Sequence, residues 1–301
     1  MKQNAPSTDP RTRTLLRWYS RHARDLPWRK TRDPYAIFVS EIMLQQTQVP
    51  RVIPIYQSWL KRFPNWTSLA HAKTPDLLHA WAGMGYNRRA LYLREAAKTV
   101  CEQGVPASED GWLGLKGVGP YTAAAVYAFV SQKPSFAIDT NIRRVVGRLM
   151  LGIPYPHLDD DARVLRALKR LLRNPGEWKA LHAFMDLGSM VCTSRKPVCA
   201  ICPLRDFCPA AKKFEKGIPQ KKKHRSREKI HEGKKYPDRI YRGRILAKLR
   251  DANMIRIDRI GLLIDSDFDI TQDQPWMLRM LDRMSRDGLL VIKKNTICIP
   301  T

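Results

Sequence analysis

Cys192-Thr193-Ser194-Arg195-Lys196-Pro197-Val198-Cys199-Ala200-Ile201-Cys202-Pro203-Leu204-Arg205-Asp206-Phe207-Cys208 sets four cysteines at the spacing C-x6-C-x2-C-x5-C, with a proline directly after the third. Four thiolates in so short a loop can hold a cubane iron–sulfur cluster. Structural zinc also takes four thiolates, but usually on two paired short knuckles, and only Cys199 and Cys202 form one here. The spacing therefore favours a [4Fe-4S] cluster on Cys192, Cys199, Cys202 and Cys208. The stretch between the first two becomes a short basic loop, with Arg195 and Lys196 placed for a phosphate, and the cluster a structural device that positions it.

Upstream stands Leu115-Lys116-Gly117-Val118-Gly119-Pro120-Tyr121, between a short predicted helix and an apolar one over 122–130. Gly117 and Gly119 permit a tight turn with exposed backbone N–H groups, and the helix that follows adds positive potential at its N-terminus. Such a hairpin can hold a DNA phosphate without reading sequence. A Gly-x-Gly turn joins many helix pairs and is weak alone. It gains weight from the cysteine loop.

The rest of the chain agrees with a nucleic-acid partner. At 301 residues and 44% hydrophobic content it can bury one large core or two modest ones, so disorder is not the default. Lys and Arg number 54 against 28 Asp and Glu, a formal charge of +26, which calls for a polyanion. Anionic membrane is the competitor, but no apolar run approaches the roughly 18 residues that span a bilayer. Residues 1–13 lack the apolar core of a secretory signal, and their Arg and Ser/Thr content leaves a transit peptide as a minor reading. Clustered cysteines, with only Cys101 and Cys298 outside the loop, fit a reduced compartment. The expected place of action is the cytoplasm, on the nucleoid.

Residues 12–190 follow helical spacing almost throughout, broken at Pro34, Pro64, Pro75, Pro106, Pro134, Pro154, Pro156 and Pro175, so the helices should be short and numerous. Residues 212–235 hold the runs Lys221-Lys222-Lys223 and Lys234-Lys235 and read as a flexible basic linker, either a solvated connector or a phosphate contact. Helices over 239–249 and 275–286, then a hairpin over 289–299 around Lys294-Asn295, suggest a small winged-helix-like module, with a plain packing appendage as the competing reading.

Two carboxylates carry candidate chemistry. Glu41 has Ile37 and Phe38 four and three residues before it and Leu44 three after, so it shares an apolar helix face. A carboxyl there should have a raised pKa and donate a proton near neutrality, the alternative being a satisfied core or helix-edge charge. Asp139 opens a predicted helix over 140–151, where an N-cap is its commonest explanation. Capping is compatible with catalysis, because helix dipole and backbone donors suit a carboxylate facing a sugar cation. One acid kept neutral and one kept charged is the recurring arrangement for breaking a bond at an anomeric carbon.

At this point residues 12–211 resemble the adenine-specific mismatch DNA glycosylases (MutY-like) of the endonuclease III, helix-hairpin-helix superfamily. The likeness rests on Leu26-Pro27-Trp28-Arg29, on Ser40-Glu41-Ile42-Met43-Leu44-Gln45-Gln46-Thr47-Gln48-Val49, on Gly83-Met84-Gly85-Tyr86, on the hairpin, on Asp139-Thr140-Asn141 and on the cysteine loop. The resemblance implies that Glu41 protonates adenine at N7 and that Asp139, oriented by Asn141, stabilises the sugar cation. It makes Gln46 and Tyr86 wedges in the base stack once the adenine is flipped out, and Arg29 a substrate or DNA contact. Tyr121 stands where bifunctional relatives carry a catalytic lysine. No Schiff base can then form, and no strand cleavage should accompany base removal.

Two departures from the family stand out. His182, in Leu181-His182-Ala183-Phe184-Met185-Asp186, replaces the usual Glu or Gln at a position contacting the flipped base, unless it is an ordinary helix-face histidine. The usual C-terminal Nudix-like domain, reader of 8-oxoguanine, has no counterpart. The expectation is a mostly α, two-lobed helix-hairpin-helix glycosylase over 1–211, a basic linker over 212–237 and a winged-helix-like α/β module over 238–301. It should act as a monomer on double-stranded DNA with a mispaired or damaged base, excising adenine opposite guanine or 8-oxoguanine. A thymine, uracil or hypoxanthine mismatch glycosylase is the alternative within the superfamily, and a non-catalytic DNA-binding protein the alternative outside it.

Overall fold

The computed structural model describes residues 8–133, 135–217 and 230–301. Its helices are α1 (Pro10–His22), α2 (Pro34–Leu44), α3 (Val49–Arg62), α4 (Trp66–Ala70), α5 (Thr74–Ala80), α6 (Arg88–Gln103), α7 (Glu109–Leu113), α8 (Pro120–Ser131), α9 (Thr140–Leu151), α10 (Asp161–Leu171), α11 (Lys179–Met190) and α12 (Pro209–Glu215). A C-terminal set follows: α13 (Asp238–Asp251), β1 (Met254–Arg256), α14 (Ile257–Ile264), α15 (Ile270–Arg286), β2 (Val291–Lys293) and β3 (Thr296–Cys298). The protein is mostly helical, as its spacing predicts.

Of the prolines read as breaks, Pro34 and Pro75 stand at the starts of α2 and α5, and other prolines do the same. Proline occupies the first or second position of α1, α3, α5, α8 and α12, where the missing N–H has no intrahelical acceptor to lose. Side-chain caps fix other starts, as where Asp9 takes the N–H of Arg11, Ser108 that of Gly111 and Asp139 that of Ile142. α2 differs from the one-faced helix its spacing suggested. All of residues 35–43 are buried, so it is enclosed on every side.

By contacts the chain forms two compact units. One comprises Met1–Ile37, Pro106–Gly114 and Val118–His224. Its core sets α9 against α10 and α11 around Val146, Leu149, Leu168, Leu181 and Phe184, all nearly without solvent contact. The other comprises Phe38–Val105, Leu115–Gly117 and Arg225–Thr301. There Trp59, Trp81 and Phe63 pack edge to face, and Leu77, Leu93 and Ala96 close the core.

The C-terminal set has its own apolar centre of Tyr241, Ile245, Trp276, Met280 and Leu281. Its sheet runs β1-β3-β2, antiparallel throughout, with Ile255 opposite Ile297 and Ile292 opposite the same residue. The hairpin turns at Lys294, which has φ of 52°, as its Lys294-Asn295 turn suggested. β1 and α14 escaped sequence reading, being too short to show a period. α15 starts before Pro275, at Ile270, because Asp269 caps it.

The basic-linker reading needs correction at Lys234. Its side chain is 2% exposed, and its ammonium pairs with Asp265 at 2.8 Å and Asp273 at 2.5 Å. Burial alone would lower its pKa, but the two carboxylates win and raise it. Lys234 thus belongs to the interior of the C-terminal set, and His231 stacks on Trp276 beside it. Lys221-Lys222-Lys223 lies outside the described residues.

Candidate functional site

In the Cys192–Cys208 loop the four cysteines line one pocket with Arg148, Val198, Ala211 and Phe214. Arg148 lies on α9 and is 2% exposed. Its guanidinium donates to the carbonyls of Pro154 (2.8 Å), Thr193 (2.7 Å) and Ser194 (2.9 Å) and to Cys192 Sγ (3.3 Å), and it stacks 4.7 Å from the Phe214 ring centroid. Burial pushes the Cys202 thiol up to about 12 and raises Cys199 and Cys208 as well, with the other cysteines adding to the shift. The bare thiols of Cys199, Cys202 and Cys208 would therefore stay protonated, whereas bound iron, as the largest local charge, would invert that preference. Four soft sulfurs beside one buried cation fit a cluster whose ligated form is anionic. Arg195 and Lys196 are exposed on the loop.

Asp139 has both oxygens engaged: Oδ1 accepts from Ile142 N–H at 2.6 Å and Oδ2 from Asn141 Nδ2 at 2.7 Å. Asn141 Oδ1 accepts in turn from Arg144 at 2.7 Å, and Arg144 also donates to the carbonyls of Gly188 (2.6 Å) and Cys192 (2.7 Å). The predicted pair is thus the head of a relay that ends on the first cluster cysteine. Arg144 was not foreseen. Gly188 makes room for it, since a Cβ there would meet Asn141 Cβ at 2.7 Å. Tyr121 sits in the first turn of α8, partly exposed.

Gly117 and Gly119 differ. Gly117 has φ of +80°, and a Cβ would strike the Tyr92 ring at 2.6 Å, so glycine is required twice over. Gly119 has an ordinary φ of −100° with nothing near its missing Cβ, so the turn does not force it. It starts α8 without a side-chain cap, leaving first-turn N–H groups for an anion.

Arg29 is engaged within the fold. It grips Asp186 with two bonds, at 2.8 and 2.9 Å, its side chain only 11% exposed, while Arg24 Nε binds the same carboxylate at 2.7 Å. Burial opposes the charge on Asp186, but these arginines hold its carboxyl below the usual value. His182 stacks on Phe129 at 4.0 Å and meets Trp178 edge-on. Burial, then the charge of Arg29, depresses its imidazole to about 3, against the weaker pull of Asp186. It is neutral at physiological pH and offers one donor and one acceptor.

In the other unit Glu41 is 7% exposed, within the enclosed part of α2. Beyond α2, Gln46 and Tyr86 are exposed and hold the left-handed conformation, with φ of 55° and 47°, which costs about 1 kcal/mol or more for a residue with a Cβ. Arg89 organises both turns. It donates to the carbonyls of Ile42 (2.9 Å), Met43 (3.1 Å), Gln45 (2.5 Å), Met84 (3.3 Å) and Gly85 (3.2 Å) and to Thr47 Oγ1 (3.1 Å). Trp81 and Tyr86 lie within 5.2 and 5.6 Å of its guanidinium carbon. Burial pulls its pKa down to about 10, so it remains charged. Sequence reading missed Arg89, which looks like any basic helix residue until its acceptors are seen.

Comparison with known proteins identifies the family. Residues 39–179 match the family model of the HhH-GPD superfamily base excision DNA repair proteins, and residues 192–208 that of the iron-sulfur binding domain of endonuclease III. The chain is 40% identical over 250 residues to the adenine DNA glycosylase of Mycobacterium tuberculosis (strain ATCC 25618 / H37Rv), covering 79% of this chain and 78% of that protein. It is 39% identical over 281 residues to that of Mycolicibacterium smegmatis (strain ATCC 700084 / mc(2)155), covering 92% and 91%. Among solved structures, a thermostable thymine-DNA glycosylase superposes with a TM-score of 0.61 at 28% identity, over 67% of this chain and 95% of that one. A non-covalent endonuclease III–DNA complex superposes with a TM-score of 0.58 at 21% identity, over 68% and 95%, and shares the fold. The cysteine loop is accordingly a [4Fe-4S] site.

Proposed function

Because the chain belongs to the adenine DNA glycosylase family of HhH-GPD base-excision repair proteins, we propose that it hydrolyses the N-glycosidic bond of adenine mispaired with guanine or 8-oxoguanine, without cutting the strand. Its substrate is double-stranded DNA, its working form a monomer, and its place of action the nucleoid. No helix among the described residues is long and apolar enough to cross a membrane.

The observation that carries this reading is the Asp139–Asn141 pair. A carboxylate with both oxygens fixed by N–H donors is pre-aimed, which is what stabilising a developing sugar cation requires. Glu41, buried on α2, is the general acid that protonates adenine at N7. Gln46 and Tyr86 fill the base stack while the adenine is extruded, a step costing a few kcal/mol. Neutral His182 contacts the flipped base. Tyr121 supplies no amine, so the reaction ends at the abasic site. When bound, the cluster fixes the loop bearing Arg195 and Lys196 against a phosphate. In this reading residues 1–211 carry the chemistry and 238–301 form a module that serves DNA binding.

Single-turnover excision on duplexes containing A:G, A:8-oxoguanine, T:G and U:G tests it. Release of adenine alone is the expected result. Release of thymine or uracil in preference would move the protein to the mismatch pyrimidine reading, which the 28% identical thymine-DNA glycosylase favours.

A further inference from the structure

Helices α1 and α10, both in one compact unit, carry positive charge that the proposed chemistry does not use. Residues 10–24 hold five arginines and no acid, and residues 161–173 hold four arginines and Lys169 against a single acid, Asp161. On α1 the buried side is Thr12 and Leu15, while Arg13, Arg17 and Arg21 recur every four residues on the exposed side. At 1.5 Å per residue that stripe is about 12 Å long. On α10 the buried side is Val164, Ala167, Leu168 and Leu171, which leaves Arg166, Lys169 and Arg170 exposed, with Arg173 just past the helix. Thr12 Oγ1 donates to the carbonyl of Leu171 at 2.8 Å, so the first turn of α1 meets the last turn of α10 and the two sets of cations adjoin.

The carboxylates beside these helices are already engaged. Asp9 caps α1 and pairs with Arg11 at 2.7 Å, and that bond first, with a smaller pull from Arg173, holds its carboxyl below the ordinary value. Asp160 pairs with Arg163 and Asp161 with Arg143. Glu177, 3% exposed, accepts from the backbone N–H groups of Arg173 and Asn174. Among the described residues, Arg13, Arg17, Arg21, Arg166 and Arg170 form no ion pair. Both helices are described in full, and no large apolar side chain of either is exposed. A protein partner would seek an apolar patch centre and a membrane an apolar edge to insert, whereas a DNA interface is polar and strongly positive.

We infer that the α1–α10 face is a second site for duplex DNA, in which Arg13, Arg17 and Arg21, continued by Arg166 and Arg170, contact phosphates outside the segment that carries the target base. Its separateness follows from the course of α10. Arg143, one turn beyond Asp139, binds Asp161 at the start of that helix, whereas Arg170 and the first turn of α1 stand at its end, about 15 Å along. Contacts of this kind carry no sequence information and hold a protein on DNA that has no lesion. The site requires a DNA-binding protein but no particular excised base.

The test uses the full-length protein with two ligands: a duplex just long enough to surround a stable abasic-site analogue, and an undamaged duplex longer by about two helical turns. Replacing Arg13, Arg17 and Arg21 together by Gln should weaken binding of the long duplex about tenfold or more and lower the slope of log affinity against log salt by about 2–3, one for each lost phosphate contact. Replacing the same three by Lys should keep both, since a phosphate contact of this kind needs the charge and not the planar fork. The short abasic duplex should bind the Gln variant as it binds the parent, and the variant should melt with the parent. Arg166→Gln with Arg170→Gln should lower the long-duplex slope by about 1–2. Lengthening the abasic duplex, or offering a separate duplex to protein already loaded on the short one, shows whether the phosphates lie on the flank or on a second molecule. Parental affinity and slope of the Gln variant in every long-duplex arm would overturn the site. So would unchanged DNA binding with weakened capture of polyglutamate, which would give the face to an acidic protein. An equal loss on the short abasic duplex would overturn its separateness. Adenine excision by the unaltered protein is scored apart, so failure of the proposed function is distinguishable from failure of this site.

Discussion

The cysteine loop and the paired turns at Gln46 and Tyr86 are built on one device used under different support. Each is held by a buried arginine, Arg148 or Arg89, that collects backbone carbonyls from segments which cannot satisfy them by helix or sheet. When the cluster is bound, thiolate–iron bonds would give the cysteine loop a second anchor. The two turns have no such staple, and their left-handed residues rest on Arg89 with Trp81 beneath it. Exposed turns can therefore be held without covalent help, at the cost of dependence on one side chain.

The sharpest way to break this comparison is to remove both arginines in turn. Arg89→Met leaves several carbonyls short of a donor, although Gly85 O keeps Trp81 Nε1 and Gln45 O keeps Thr47 Oγ1, and should cost at least about 2–4 kcal/mol of stability. Excision should fall with it as Gln46 and Tyr86 lose their positions. Arg148→Met should cost less in cluster-loaded protein and retain iron, because the ligands still hold the loop. Denaturant melts with iron quantification decide it. Equal losses in the two variants, or complete loss of iron from Arg148→Met, would show that the cluster is no independent anchor.

The two proposed catalytic carboxylates divide along the same line, since Glu41 lies on the helix whose last carbonyls Arg89 holds and Asp139 heads the relay to Cys192. Glu41→Gln keeps shape but cannot donate an acid proton, so single-turnover excision should drop about 10²-fold or more with binding intact. Asp139→Asn should lose a similar factor and about 1 kcal/mol of stability, the cap being weakened as the charge goes. On the proposed mechanism the two act in one transition state, so the double variant should be little worse than either. Near-parental excision by folded Glu41→Gln would remove it as the general acid.

Much of this was legible in the sequence because it depends on spacing or on local conformation. Cysteine intervals, the glycine at position 117, the cap at Asp139 and the hairpin at Lys294 are decided within a few residues. What was not legible depends on partners distant in the chain. Arg89 reaches 47 residues back to Ile42, Arg148 reaches 46 forward to Ser194, and Asp186 joins Arg24 and Arg29 across 162 and 157 residues. Charge on a helix reads as solvated surface until burial is known. Lys234 misled for that reason, its run of basic neighbours concealing two buried carboxylates.

His182 gives the smallest effect and a separate check on how closed its surroundings are. Phe129, Trp178 and the cations Arg24 and Arg29 press its imidazole toward the neutral form, Asp186 alone opposing them. In the unfolded chain it would titrate near 6.5, in the fold at about 3. Below pH 6.5 the unfolded state thus binds more protons than the folded one, so stability present above that pH is lost as pH falls toward 3. Between pH 7.5 and 5 the loss should be about 1–2 kcal/mol, allowing for the ring's residual solvent contact. Asp186 does not contribute in this interval, because its depressed carboxyl loses its stabilising effect only below the ordinary value of 3.8. His182→Gln should flatten the profile over that range while leaving a donor and an acceptor at the position. Urea melts at the two pH values settle it, and an unchanged pH slope in His182→Gln would mean that the imidazole takes up its proton in the fold as readily as in the open chain.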